Sequence, residues 1–186
     1  MRILGISGSL RRDSYNTRLL AAAAERLPAD VELIRWEGLA AVPPFDEDAE
    51  TEPAPAAVAE LRAAIAGADA VLFATPEYNG SVPGQLKNAL DWISRPHATN
   101  PLRNTPVAVV GASTGGFGAV WAQADLRRIL GRIGARVLDT ELAVAHVHTR
   151  CDDGENLIDG DMHQALADVV NELVSYVHPR RELAAA

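Results

Sequence analysis

The chain predicts a doubly wound α/β fold, a three-layer sandwich around a five-stranded parallel sheet in the order 2-1-3-4-5. Three observations lead there. Apolar runs of strand length alternate with segments of helical period along the whole chain. Two of those runs, ADAVLFAT (68–75) and PVAVVGAS (106–113), are apolar without alternation, as strands covered on both faces are. No internal repeat or linker interrupts the series, so one domain over 1–179 is expected, with a frayed tail at 180–186. Right-handed crossovers then leave few topologies, and 2-1-3-4-5 is the natural one for five strands.

The elements follow in order. RILGIS (2–7) is the first strand and ends at Gly8. SYNTRLLAAAAER (14–26) is a helix with Leu19, Leu20, Ala23 and Ala24 on one face. VELIRW (31–36) is the second strand, and the polar stretch 37–55 reads as a solvated crossover. Residues 56–67 form a helix that stops at Gly67, and 68–75 the third strand. In 83–94, Leu86, Ala89, Leu90 and Ile93 repeat at helical spacing. The fourth strand (106–113) precedes a helix over 119–132, and the fifth strand lies within 135–144. The last helix, about 160–177, places Met162, Leu166, Val169, Val170, Leu173, Val174 and Val177 on one stripe.

Composition narrows the function. The formal charge of −8 argues against general nucleic-acid binding and suits a protein that meets small molecules. Apolar residues make up 48% of the chain, enough for a core. One cysteine, Cys151, excludes an intrachain disulfide. The opening MRILGISGSL lacks the apolar core of a signal peptide, and no apolar run is long enough to span a bilayer. A cytoplasmic protein is expected.

In such a sheet, ligands bind beyond the carboxyl ends of strands 1, 3 and 4, where the strand order reverses. Three loops should meet there: 7–16, 75–82 and 111–118. The first offers the hydroxyls of Ser7, Ser9 and Ser14, the amide of Asn16 and the cations Arg11 and Arg12 at the start of a helix. That set suits a phosphate monoester, although Ser14 would also serve as an ordinary helix cap. It contains neither a Walker lysine nor G-x-G-x-x-G. In the second loop, TPEYNGSVPG, Pro76 holds Thr75 extended, and Asn79-Gly80 signals a tight turn. Such a loop could press backbone groups on a flat ligand, or be a plain connection. The third, GASTGGFGAV, offers Ser113 and Thr114 among glycines that let backbone approach closely.

GISGSLRRDSYN together with TPEYNGSVPGQLKNALDWISRP resembles the NADPH-dependent FMN reductases, flavodoxin-like reductases of quinones, chromate and azo dyes. The resemblance covers nearly the whole chain. It implies non-covalent FMN. It places Ser9, Arg11, Ser14 and Asn16 at the phosphate with Leu10 and Tyr15 nearby. Pro76, Glu77, Tyr78, Asn79 and Gly80 then line the ribityl chain and ring, and Ser113 and Gly115 lie on the far side of the flavin. Many relatives carry an aromatic where this chain has Gly80. It also implies ping-pong hydride transfer from NADPH or NADH through flavin N5 to a small-molecule electron acceptor: a quinone, azo compound, chromate or nitro compound. No side chain is needed as catalytic acid or base, and the Asn79–Gly80 backbone would polarise the ring. The family assembles as homodimers or homotetramers, with the crossover 37–55 close to a neighbouring subunit. A flavodoxin-type carrier that binds FMN without turnover is the alternative.

Weaker signals are read conservatively. His146-x-His148 would share one face of a strand, near Cys151, but a fourth ligand at zinc spacing is missing, so no metal is expected. DDGENLIDGD (152–161) lacks the closing glutamate of a calcium loop and reads as a solvated loop in which Asp159 caps the last helix. Trp92 and Trp121 are either interface anchors or core aromatics.

Overall fold

The computed structural model describes residues 1–50, 53–152 and 160–184. Five parallel strands, β1 (Arg2–Ser7), β2 (Glu32–Trp36), β3 (Ala70–Thr75), β4 (Pro106–Ala112) and β5 (Arg136–Val144), form one sheet in the order β2-β1-β3-β4-β5. This is the expected order. Every residue of β3 and β4 is buried, whereas the edge strands β2 and β5 carry exposed positions. That difference is why the central strands read as continuous apolar runs.

Helices α1 (Tyr15–Ala24) and α5 (Gly160–Ala184) cover one face. Helices α2 (Ala56–Ala66), α3 (Gly84–Ile93) and α4 (Val120–Arg132) cover the other. Alternate residues of each strand feed the two cores: Ile3, Leu72 and Val110 face α1 and α5, while Leu4, Phe73 and Val109 face α2 and α3. Helix α5 continues past the expected end at 177, because Arg180, Arg181, Glu182, Leu183 and Ala184 all favour helix. The proposed Asp159 cap and most of 152–161 lie outside the described residues.

The crossover 37–55 departs from expectation. It is pinned to α3 rather than merely solvated. Gln85 donates through Nε2 to the carbonyls of Leu39 and Val42, both at 2.8 Å. Asn88 donates to the Pro43 carbonyl at 2.8 Å and accepts from the Phe45 N–H at 2.6 Å. The Trp92 indole N–H also reaches the Pro43 carbonyl, at 2.9 Å. Gln85, Asn88 and Trp92 recur at helical spacing on one face, so the side chains of QLKNALDW satisfy a crossover whose own regular structure is limited to two short 3-10 turns, Gly38–Ala41 and Glu47–Ala49. Trp92 is therefore a core residue, with Phe45 edge-on at 5.1 Å; Trp121 is half exposed.

Strand register sets the site. Ser7 pairs with Ala74, and Thr75 with Gly111, so β1, β3 and β4 end within about one residue of each other. Their three following loops leave the sheet side by side.

Candidate functional site

Ser14 caps α1: its φ of −81° and ψ of 125° are extended, and its Oγ accepts the Thr17 N–H at 3.4 Å. The first turn of α1 holds no acid, so its amides face the loop uncompensated. Ser9 Oγ accepts the Arg11 N–H at 3.3 Å, which curls the loop, and Ser7 Oγ accepts both the Ser9 N–H at 3.3 Å and the Thr17 hydroxyl at 3.0 Å. Ser9 and Ser14 act here as acceptors, so each hydroxyl keeps its proton for an anion. The Arg11 side chain is exposed and, among the described residues, pairs with no carboxylate.

Asn16 is placed differently from a free phosphate ligand. It is 3% exposed, donates to the Ala112 carbonyl at 3.1 Å and accepts the Ala112 N–H at 2.9 Å. Its amide thus locks the start of α1 to the end of β4 and leaves one N–H for the groove.

The second loop is a tight turn, as Asn79-Gly80 signals. Tyr78 and Ser81 exchange two backbone hydrogen bonds of 3.1 Å, and Asn79 (φ 53°) and Gly80 (φ 73°) are left-handed, the pattern of a type I′ turn. The Asn79 and Gly80 N–H groups make no hydrogen bond among the described residues. Nothing lies within 4 Å of where a Gly80 Cβ would stand.

Two contacts moor this turn to α4. The Glu77 carboxylate accepts the N–H groups of Trp121 and Ala122, both at 3.0 Å, and so caps a helix whose own N-cap residue, Ala119, has no polar side chain. Ser81 donates to Asp125 Oδ2 at 2.7 Å. That bond, with Arg128 beside it, holds the Asp125 carboxyl below the usual carboxylate range. With its folded pKa depressed, Asp125 stabilises the turn above its unfolded pKa, and this support is lost as pH falls through the folded value. Both N–H groups share Oε2, and Glu77→Gln loses the charge at the helix end and leaves them a weaker, neutral acceptor. It should lower stability by about 1 kcal/mol, read by urea denaturation.

The third loop is tied to the turn after β5. Ser113 Oγ accepts the Gly115 N–H at 3.1 Å, and the Gly115 carbonyl accepts the His146 N–H at 3.0 Å. His146 is left-handed (φ 50°) and His148 sits in a short 3-10 turn, so the pair lies beyond the end of β5 rather than on one face of a strand. No group of three metal-ligating side chains exists among the described residues. The Cys151 thiol is pushed up by burial, which disfavours the thiolate.

A groove of about 130 Å³ runs between the loops. Ser9, Arg11, Ser14, Tyr15 and Asn16 wall it on one side, Pro76, Glu77 and Tyr78 on another, and Ser113 closes it. Leu10 lies on two adjoining cavities instead, while Asn79, Gly80 and Gly115 stand outside the groove's wall. Sequence reasoning passed over Ala112, whose backbone anchors Asn16, and Arg35, which stands near the carboxyl end of β2 beside the first loop.

The residues present fit FMN. Arg11, two hydroxyl donors and a helix N-terminus face one end of the cleft, where a phosphate would sit. The backbone-rich turn at 76–80 suits a flat ring at the other.

Residues 1–149 match the model of a family described as NADPH-dependent FMN reductase. The chain is 37% identical over 182 residues to an NAD(P)H-dependent FMN reductase of Pseudomonas aeruginosa, covering 97% of each. It is 33% identical over 182 residues to a 2-hydroxy-1,4-benzoquinone reductase of a Burkholderia species, covering 97% of this chain and 98% of that one. Its fold superposes on FerB, a flavoenzyme NAD(P)H:(acceptor) oxidoreductase of Paracoccus denitrificans, with a TM-score of 0.86, 31% identity and coverage of 96% and 97%. The pure electron-carrier alternative gives way to an enzyme. The chain belongs to the NADPH-dependent FMN reductase family, and is an FMN-dependent oxidoreductase with NAD(P)H as its co-substrate.

Proposed function

We propose that this protein oxidises NAD(P)H and passes the electrons to quinones, with azo compounds, chromate and nitro compounds as further acceptors, by a ping-pong mechanism in the cytoplasm. The observation that carries this reading is the state of Glu77. It is the one carboxylate in the groove wall, and its oxygen is held by two N–H groups of α4. Among the described residues the wall therefore offers no free carboxylate, histidine or lysine for proton transfer, which suits a site whose cofactor does the chemistry. Bound FMN would supply hydride acceptance from the nicotinamide and electron delivery to the acceptor.

The chain's own groups bind and orient. Ser9, Arg11, Ser14 and the first amides of α1 hold the phosphate, with Asn16 keeping helix and strand in register and Leu10 and Tyr15 flanking. Pro76, Glu77 and Tyr78 shape the wall along the ring, Ser113 and Gly115 bound its far side, and the unpaired Asn79 and Gly80 N–H groups favour negative charge at the ring's edge. Open space at Gly80 leaves room for a bulky acceptor. A homodimer or homotetramer is proposed as the assembly. Among the described residues no helix is long and apolar enough to cross a membrane.

Initial rates with NADPH and p-benzoquinone test this. Turnover well above free FMN and parallel double-reciprocal lines are expected. Rates equal to free FMN contradict the activity, and intersecting lines contradict the order of steps.

A further inference from the structure

A cavity of about 460 Å³ lies at the opposite end of the sheet from the flavin groove. It is lined by His97, Arg103, Asn104, Arg132, Ile133 and Gly134, where β4 and β5 begin. The length of β4, Pro106–Ala112, separates it from the groove by about 20 Å, and the two share no residue. Its wall holds two arginines and a histidine and no acid, in a chain of net charge −8.

The carbonyls around this cavity already have donors. Helix α4 ends here: the Ile133 N–H donates to the Ile129 carbonyl at 3.0 Å, Gly134 N–H to Gly131 at 3.1 Å and Ala135 N–H to Leu130 at 3.0 Å. Gly134 is left-handed, with φ of 100°, which lets the chain close the helix in this way. The Ile133 carbonyl accepts from the Asn100 amide at 2.7 Å, and the Gly134 carbonyl from the Asn104 N–H at 2.8 Å. The arginines are less engaged. Arg103 gives one N–H to the His97 carbonyl at 3.3 Å, and its stem packs over Gly134, where a Cβ would stand 3.8 Å from Arg103 Cα and Cγ. Among the described residues, neither Arg103 nor Arg132 pairs with a carboxylate. Glu47 and Glu50 pair with Arg95, two residues before His97, and do not line the cavity. Acceptors are thus consumed and guanidinium donors are left over. One arginine in the last turn of a helix offsets its dipole and needs no ligand, as Arg132 could. Arg103 stands in the turn before β4, outside any helix or strand, so no helix dipole accounts for it.

We infer that this cavity is a second binding site, for a small organic anion carrying a phosphate or several carboxylates, with Arg103 and Arg132 on the charged groups and Ile133 against the carbon skeleton. Guanidinium forks match the oxygens of either group and hold them by charge-assisted bonds. The volume lies within the range of about 300–1,000 Å³ that small-molecule sites occupy. An anion held there ties the end of α4 to the turn before β4, so it stabilises the folded chain without touching the flavin.

Calorimetric titration of the FMN-loaded protein, whose own phosphate site is filled, with inorganic pyrophosphate and with citrate tests the site. Saturable binding of at least one, with a Kd of about 0.1 mM or tighter at low salt, is expected. Pyrophosphate alone assigns the site to phosphate compounds, citrate alone to polycarboxylates, and both to multivalent oxyanions in general; each upholds it. In Arg103→Ala/Arg132→Ala that binding should weaken at least about tenfold, while the Kd for FMN stays within about twofold. Arg12→Ala/Arg35→Ala, which alters exposed cations near the first loop, should leave the anion's Kd within about twofold. No saturable binding of either probe to the unaltered protein overturns the proposal. So does binding that survives loss of Arg103 and Arg132, or that is lost with Arg12 and Arg35, since the anion would then sit elsewhere.

Discussion

Asn16→Ala should be among the most damaging single changes to the fold, although the residue stands in a loop-facing position. The substitution strands the Ala112 N–H and carbonyl, which are buried at 2% residue exposure. Each orphaned group costs about 1–3 kcal/mol, so the loss is about 2–6 kcal/mol. For a chain of 186 residues that is a fall in Tm of about 4–24 °C. Asn16→Asp keeps the acceptor for the Ala112 N–H but sets an acid against the Ala112 carbonyl, so it should not rescue. Thermal denaturation of the flavin-free protein decides. A Tm within about a degree of the unaltered chain would mean the clamp between α1 and β4 carries little. The result also decides how binding data are read. A loss of FMN in Asn16→Ala reports the clamp as well as any direct contact, and Ser14→Ala also removes the α1 cap, whereas Arg11→Ala reports the phosphate end alone.

Gly118→Ala is the second large effect, and Gly80→Ala is its control. Both glycines are left-handed, with φ of 58° and 73°. A Cβ at Gly118 would stand 2.5 Å from the Ala143 carbonyl carbon and 2.7 Å from Ala143 O and Val144 N, all backbone of β5. At Gly80 it would meet nothing within 4 Å. Backbone strain alone costs about 1–2 kcal/mol, and forcing the strand aside adds about 1–3 kcal/mol. Gly118→Ala should therefore lose clearly more stability than Gly80→Ala in urea denaturation at unchanged slope. It should also disturb the N–H groups of Trp121 and Ala122 on Glu77, since α4 begins two residues later. Equal losses at the two positions would mean that the contact with β5 relaxes freely.

The pair also shows what the sequence carries. GASTGGFGAV announces a glycine-rich loop, but not that one of its glycines packs on β5 while Gly115 and Gly116 stand exposed. Strand order and the convergence of three loops were legible, because β3 and β4 are buried on both faces and the crossover rule fixes their neighbours. The Asn79-Gly80 turn was legible from local chemistry. What was hidden are pairings across long separations. Asn16 and Ala112 lie 96 residues apart, and Glu77 and Trp121 lie 44 apart. A composition of Pro, Asp and Glu suggested a solvated crossover, yet its carbonyls are gathered by Gln85, Asn88 and Trp92 of a helix read only for its apolar face. His146 and His148 alternate as strand residues would, but a left-handed turn at His146 lies past the last residue of β5.

The central claim is that the first loop holds a flavin by its phosphate. The direct measurement is titration of the flavin-free protein with FMN and with riboflavin, followed by flavin fluorescence. An arginine, two hydroxyl donors and an uncompensated helix N-terminus should make FMN at least about a hundredfold tighter. Arg11→Ala should shrink that ratio while leaving riboflavin unchanged. Equal affinity for the two flavins in the unaltered protein would contradict the account.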